Sequence, residues 1–419
     1  MWVYLNPRAC DIVKNYLIKI FVFLLLISCQ PKQSDKHKEG SIKGDWRGII
    51  HTQGQELPFN FNIKFREGGQ LAVTLINGEE EILIDEAYIS GDSIFMPMHI
   101  FDSDLVAIFN DTEMNGFWRK NYAQDYIIPF TAEKGGTFRF IDQPGSPPMN
   151  IAGRWEVYFK STSGERQAIG EFKQDGHRMS GTFLRPSGDY RFLVGEIDGD
   201  RLYMSTFDGE HAYLITATTD GMTITGDFYS GKTRHDTWRA VRNEKIELDD
   251  QFSLTYLKEG FRTIDFELPN MDGELVSLKN PKFNNKVVIV QIFGTWCPNC
   301  MDETKFLSGW YNRNKERGVE IIALAFERKD DFQYARTRIE KLKTRFDIHY
   351  EFLFGGKSDK TSQVLPMFEG AISFPTTVFI DRSGEVRKIH TGFSGPGTGK
   401  YYEQFVEDFN LLMDKLIQE

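Results

Sequence analysis

Cysteine is scarce in this chain: four among 419 residues, at Cys10, Cys29, Cys297 and Cys300. That scarcity excludes a scaffold built on disulfides. It also leaves no second half for a zinc site, because the eight histidines are scattered and only His349 and His390 lie near the last cysteine pair. Basic charge is short as well. Fifty Lys and Arg stand against 60 Asp and Glu, a formal net charge of −10, which argues against nucleic acid as a partner. Long apolar runs are missing beyond the N-terminus. There Ile20 to Ile27 follows Arg8, Lys14 and Lys19, a run too short to stay in a bilayer, and residues 1–28 read as a secretory signal. The histidines of the first 245 residues (His51, His99, His177, His211, His235) form no metal-ligand spacing and receive no role. Neither a metal nor another cofactor is expected.

What is present is concentrated in one run, Phe293-Gly-Thr-Trp-Cys-Pro-Asn-Cys300. A hydrophobic strand, Val287 to Phe293, leads into the two cysteines, and a helix-forming stretch ending at Gly318 leaves them. A thiol at a strand-to-helix junction sits at the positive end of the helix dipole, which favours thiolate. Thiolate attacks disulfides, and a second thiol one turn later can resolve the mixed disulfide. A structural role competes with this reading, but closing so short a loop contributes only about 2 kcal/mol. Thiol–disulfide exchange is the better account of the pair.

The rest divides into three parts. Residues 29–43 are polar and charged and read as a tether. From 44 to 242 the pattern is nearly all β: Leu57, Phe59, Phe61, Ile63 and Phe65 alternate with polar residues, and turn signals recur about every 8–12 residues. This region is duplicated. Gly44-Asp45-Trp46 matches Gly153-Arg154-Trp155, Ile89 to Asp92 matches Ile197 to Asp200, and Gly116 falls against Gly226, all at one offset of about 109 residues. The expectation is two β units, 44–140 and 150–242, forming sandwiches or small barrels, as two separate cores or one shared core. Each opens with G-x-W, reminiscent of lipocalin-like barrels that hold apolar ligands, but aromatic core filling is the commoner fate.

After a charged connector, residues 260–419 read as an α/β domain. A hairpin from Asp265 to Leu278 precedes the strand at 287–293, a helix over 298–317 and a strand over Val319 to Phe326. A helix over 330–346, a strand near Phe352, a short helix over 359–369, strands Thr376 to Ile380 and Glu385 to His390, and a closing helix over 399–417 complete the order. Strands alternating with helices imply a central sheet covered on both faces.

That order, with C-x-x-C after the first core strand and a proline before a later one, is similar to the thioredoxin fold. More narrowly, G-T-W-C-x-x-C followed by Glu303, together with D-F-E-L-P-N-M-D-G-E-L-V-S-L upstream, resembles the TlpA/ResA-like branch of extracytoplasmic thiol–disulfide oxidoreductases. The resemblance covers about 160 residues, and the β half lies outside it. It implies Cys297 as the attacking thiol, Cys300 as the resolving thiol, and a cis Phe374–Pro375 bond facing them. A substrate chain would then pair with the backbone of Phe374. Trp296, Pro298, Phe374 and Pro375 are the expected substrate contacts, with Trp296 shielding one side of Cys297. Glu303 reads either as a carboxylate favoured by the dipole in the first helical turn or as a buried acid that relays a proton. Asp302 beside it reads as a solvated face residue. Gln291 stands where thioredoxins carry a buried aspartate, and it cannot titrate.

Leu26-Ile27-Ser28-Cys29 resembles a bacterial lipobox, which implies lipid on Cys29 and a cell-envelope location facing the periplasm, with the outer membrane favoured through Gln30. Pro298-Asn299 between the cysteines carries no positive charge, and Glu303 adds a negative one, so a reductant is expected. Its partners would be proteins containing disulfides, cytochrome c haem-site cysteines among the candidates, and a membrane thiol transporter as electron donor. The alternative is a lipid-anchored binding protein whose β units hold a ligand while the C-terminal domain is scaffold. Peroxidase chemistry is disfavoured, because Gln291 to Cys297 does not supply the frame P-x-x-x-T-x-x-C.

Overall fold

The computed structural model describes residues 42–98, 100–370 and 372–419. The expected signal, the expected lipidation site Cys29 and nearly all of the expected tether lie outside the described residues.

The first β unit is an antiparallel meander of nine strands: β1 (Gly44–Thr52), β2 (Gln55–Phe65), β3 (Leu71–Asn77), β4 (Glu80–Ile84), β5 (Tyr88–Ser90), β6 (Ser93–Pro97), β7 (Ser103–Phe109), β8 (Glu113–Lys120) and β9 (Ile127–Lys134). Their order, β4-β3-β2-β1-β9-β8-β7-β6-β5, joins the first strand to the last and ends at β4 and β5. The sheet is a half-barrel. Period-2 patterning sets its inner face, where Leu57, Phe59, Phe61 and Ile63 of β2 are all buried.

The second unit contains β10 (Gly153–Ser161), β11 (Gly164–Asp175), β12 (Arg178–Arg185), β13 (Gly188–Asp189), β14 (Leu193–Asp198), β15 (Arg201–Phe207), β16 (Ala212–Thr219), β17 (Thr223–Ser230) and β18 (Arg234–Arg242). Here β12 pairs with both β11 and β14, which closes eight strands into a barrel, and β13 is a short arm on β12.

The two units correspond at the level of single bonds. Trp46 Nε1 donates to Ile42 O and Trp155 Nε1 donates to Ile151 O, each at 2.8 Å. Gly116 lies opposite Ala107, and Gly226 opposite Ala217. A Cβ at Gly116 would fall 1.9 Å from Val106 O, and one at Gly226 would fall 2.0 Å from Thr216 O, so neither site has room for a side chain.

The cores are separate, but not symmetrically so. Trp155, Phe159, Phe183 and Phe228 fill the barrel. The half-barrel buries Trp46, Phe59, Trp118 and Phe130 together with Phe207, Ala212 and Leu214, which come from the outer face of β15 and β16. Phe207 lies 4.6 Å from Phe59 and 5.1 Å from Trp118, ring centre to ring centre.

The C-terminal part contains β19 (Thr255–Leu257), β20 (Glu267–Pro269), β21 (Leu275–Ser277), β22 (Val287–Phe293), β23 (Val319–Glu327), β24 (Glu351–Lys357), β25 (Phe368–Gly370), β26 (Thr376–Ile380) and β27 (Val386–Thr391). Its helices are α1 (Pro298–Asn314), α2 (Phe332–Phe346), α3 (Thr361–Val364) and α4 (Lys400–Gln418). The central sheet has the order β24-β23-β22-β26-β27, with the first three strands parallel and the last two antiparallel to their neighbours. All seven residues of β22 are buried, as a strand covered on both faces requires. Leu307 of α1, Ile339 of α2 and Met413 of α4 pack on the face that carries Ile289. Val276 of the β20–β21 hairpin, Phe283 and Leu365 cover the face that carries Val290.

One expected element is corrected. The helix over 359–369 shrinks to a 3-10 turn and the four residues of α3, and Phe368–Gly370 instead becomes β25, paired with β19. A strand partner more than 100 positions away, Leu257 for Phe368 and Thr255 for Gly370, outweighs local propensity.

The α/β part also covers the half-barrel's open seam. Arg345 Nη2 donates to Leu83 O of β4 at 2.7 Å, and Lys341 reaches Glu86 at 2.6 Å. An unpaired strand edge is thereby hidden.

Candidate active site

The chain turns from β22 into α1 at Gly294-Thr295-Trp296. Cys297 is the N-cap of α1, with extended backbone, and its Sγ accepts the Cys300 amide proton at 3.2 Å. Pro298 occupies the first helical position, where no amide donor is needed. The sulfur therefore sits over the amide end of the helix, where negative charge is stabilised. Cys297 and Cys300 are joined as a disulfide with Cα atoms 5.2 Å apart. Cys297 is 6% exposed and Cys300 fully buried, so Cys297 is the more accessible of the two sulfurs.

The Phe374–Pro375 bond is cis, as expected, and Phe374 O lies 3.4 Å from Cys297 Sγ. Trp296 packs 5.1 Å from the Phe374 ring and donates from Nε1 to Phe326 O. Trp296 and Phe374 are half-buried, whereas Pro298 and Pro375 are buried. Trp296 is walled in rather than open. The Arg328 guanidinium stacks on it at 4.2 Å, covers Tyr122 of the half-barrel at 4.9 Å, and pairs with Glu210 of the barrel at 2.8 Å.

Glu303 is the sixth residue of α1, beyond the first turn, and 1% exposed. It accepts hydrogen bonds from Gln291 Nε2 and Thr377 Oγ1, each at 2.8 Å. Burial pushes its carboxyl up to about 7, against the pull of those two bonds. The position of Gln291 thus adjoins a buried acid supplied by the helix. This geometry removes the reading of Glu303 as a carboxylate of the first helical turn.

Asp302 corrects another expectation. It is no solvated face residue: Arg191 Nη1, from the barrel, lies 2.5 Å from its Oδ2. Arg191 also bonds Glu80 of the half-barrel and lies 3.6 Å from Asp208 of the barrel. Burial raises the Asp302 carboxyl to about 7; Arg191 opposes the rise, and Glu80 and Asp189 add to it. No periodicity or spacing in the sequence announces a contact 111 positions away.

Glu327 at the end of β23 is a further residue that sequence reasoning passed over. It is fully buried and accepts from the Thr295 amide at 3.1 Å and the Thr295 hydroxyl at 2.8 Å, anchoring the turn ahead of Cys297. The signal that could have found it is an acid closing an apolar run, Ile321 to Phe326. No group of three or more His, Cys, Asp or Glu side chains is placed to hold a metal ion among the described residues.

A dithiol that caps a helix after the central strand and faces a cis-proline loop defines a protein of the thioredoxin-like class. A family profile described as the AhpC/TSA family matches residues 260–389. The thiol-disulfide oxidoreductase ResA of Halalkalibacterium halodurans is 28% identical over 152 residues, covering 36% of this chain and 75% of that protein. ResA of Geobacillus thermodenitrificans is 30% identical over 138 residues, covering 33% of this chain and 72% of that protein. The chain belongs to the ResA-like family of thiol-disulfide oxidoreductases.

Proposed function

We propose that this protein reduces disulfides in other proteins outside the cytoplasm, held to a membrane by lipid on Cys29. The observation that carries the reading is Cys297 Sγ at the N-cap of α1, receiving the Cys300 amide and facing Phe374. The Cys297 thiolate attacks a substrate disulfide, bonds one substrate sulfur and releases the other as thiolate. Cys300 gives up its proton and attacks Cys297 Sγ, which closes the intramolecular disulfide and releases the second substrate sulfur. Two electrons pass to the substrate, whose two sulfurs leave as thiolates and are protonated from solvent and by the proton that Cys300 gives up. Trp296, Pro298, Phe374 and Pro375 form the contact surface, and Glu303, held near neutrality by burial, takes up the proton that Cys300 releases.

The direction follows from charge. Pro298 and Asn299 bring no cation between the cysteines, and the buried Glu303 opposes thiolate, so the oxidised form is favoured and the dithiol is a reductant. A membrane thiol transporter resupplies its electrons.

The test is turnover of insulin disulfides with dithiothreitol. Cys297→Ser abolishes turnover, and Cys300→Ser accumulates mixed disulfides on Cys297. Equal turnover by wild type and Cys297→Ser would overturn the reading, and a reduction potential near that of dedicated oxidants, about −120 mV, would reverse the direction.

A further inference from the structure

The turn between β12 and β13 of the barrel lies across the loops that frame Cys297. Asn299, between the two cysteines, donates to Asp189 O at 3.2 Å. Ser373, one residue ahead of Phe374, donates to Ser187 O at 3.3 Å. Gln251 of the connector donates to Pro186 O at 2.9 Å, and the Gly395 amide, in the loop after β27, donates to Asp189 Oδ2 at 2.6 Å. Three of these four bonds end on main-chain carbonyls of one four-residue segment, those of Pro186, Ser187 and Asp189, the form of contact a docked peptide makes.

The approach is close on both sides. A Cβ at Gly188 would fall 2.4 Å from Asn299 Nδ2, and one at Gly392 would fall 2.4 Å from Pro186 O. Arg191, two residues past the turn, then bonds Asp302 on α1 and fixes the turn in place. A residue on the dithiol helix is thus tied to both β units through one guanidinium.

We propose that the Pro186–Asp189 turn occupies the groove in which a substrate chain docks, with the Arg191–Asp302 ion pair as its latch. The barrel is therefore a gate: a protein disulfide reaches Cys297 only when the turn moves off. The gate selects an extended, flexible segment, one able to replace the turn's main-chain hydrogen bonds, over a disulfide set in a rigid surface. This rests on the reading of Cys297 and Cys300 as the exchange dithiol.

The experiment uses the full chain. Arg191→Met is expected to raise insulin-disulfide turnover roughly tenfold, the scale of losing one charge-assisted hydrogen bond. That variant also strips a cation from Glu80 and Asp208 and can loosen the fold. Gln251→Ala removes only the donor to Pro186 O, and a rise of roughly threefold is expected from a neutral bond. Amide exchange supplies a readout that does not depend on turnover. In Cys300→Ser carrying an insulin chain on Cys297, amides 187–191 are expected to exchange faster than in the same variant without it. Unchanged exchange in that mixed disulfide, or unchanged turnover in a folded Gln251→Ala, overturns the gate. Failure to form any mixed disulfide strikes instead at the exchange chemistry itself.

Discussion

In the half-barrel, β4 pairs with β3 from Val73↔Ile84 to Asn77↔Glu80 and takes up the side of β3 that would otherwise meet β5. In the barrel, the equivalent arm β13 makes only the pairs Leu184↔Asp189 and Arg185↔Gly188, which leaves Arg178 to Gly181 free to pair with β14. The same repeat therefore closes or stays open according to the length of one hairpin arm. The open copy is completed by its neighbours. Phe207, Ala212 and Leu214 enter its core from the barrel, and α2 covers its seam. The closed copy needs neither, and its outer surface is left free to serve the half-barrel on one side and the dithiol on another.

The strongest way to break this comparison is Phe207→Ala. The residue belongs by chain to the barrel and by packing to the half-barrel. The expected loss is about 3–5 kcal/mol, the range for truncating a fully buried aromatic ring. Trp46 and Trp118 fluorescence should then melt ahead of the barrel. A loss under about 1 kcal/mol would show that the half-barrel does not rely on its neighbour.

One buried carboxylate in each half responds to pH with opposite sign, Asp208 and Glu303. Asp208 in the barrel is held down to about 2: burial opposes its charge, but His211 and Arg191 outweigh it. Its contribution is present above the ordinary aspartate range and is lost as pH falls toward 2. Glu303 is raised to about 7, so its contribution is complete below the ordinary glutamate range and is lost as pH rises through 7. Glu303→Gln is expected to remove that alkaline loss, worth up to about 3 kcal/mol at pH 8 and near zero at pH 4. Denaturant titrations at the two pH values measure it, and an equal effect at both would contradict the sign.

The finest test compares the two copies directly. Trp46→Phe and Trp155→Phe each delete one indole bond of the same length to the carbonyl four residues back. Each should cost about 1 kcal/mol. Unequal losses would show that the open and closed copies hold their first strands differently.

Much of this was legible in the sequence. The strand Val287–Phe293 and the offset between Trp46 and Trp155 were readable because burial on both faces and a repeated turn leave local patterns. So was the pairing of Cys297 with Cys300, which is set by one helical turn. Asp302 was misread, and Arg191 went unseen, because their contact joins two modules and leaves no trace in the periodicity of either. The strand at Phe368–Gly370 was missed for the same reason, its partner lying at Thr255–Leu257. The fate of the two repeats escaped because two residues of β13 against five of β4 look alike as turn-rich sequence.

Gly116 and Gly226 sit where β8 and β17 press against the neighbouring strand's backbone. Even one methyl group there would force two strands apart, so random drift cannot erase these positions while the sheets persist. They act as fixed survey marks. Another chain carrying this repeat, however far its other residues have wandered, should keep two glycines about 110 positions apart, each facing a small residue on the preceding strand.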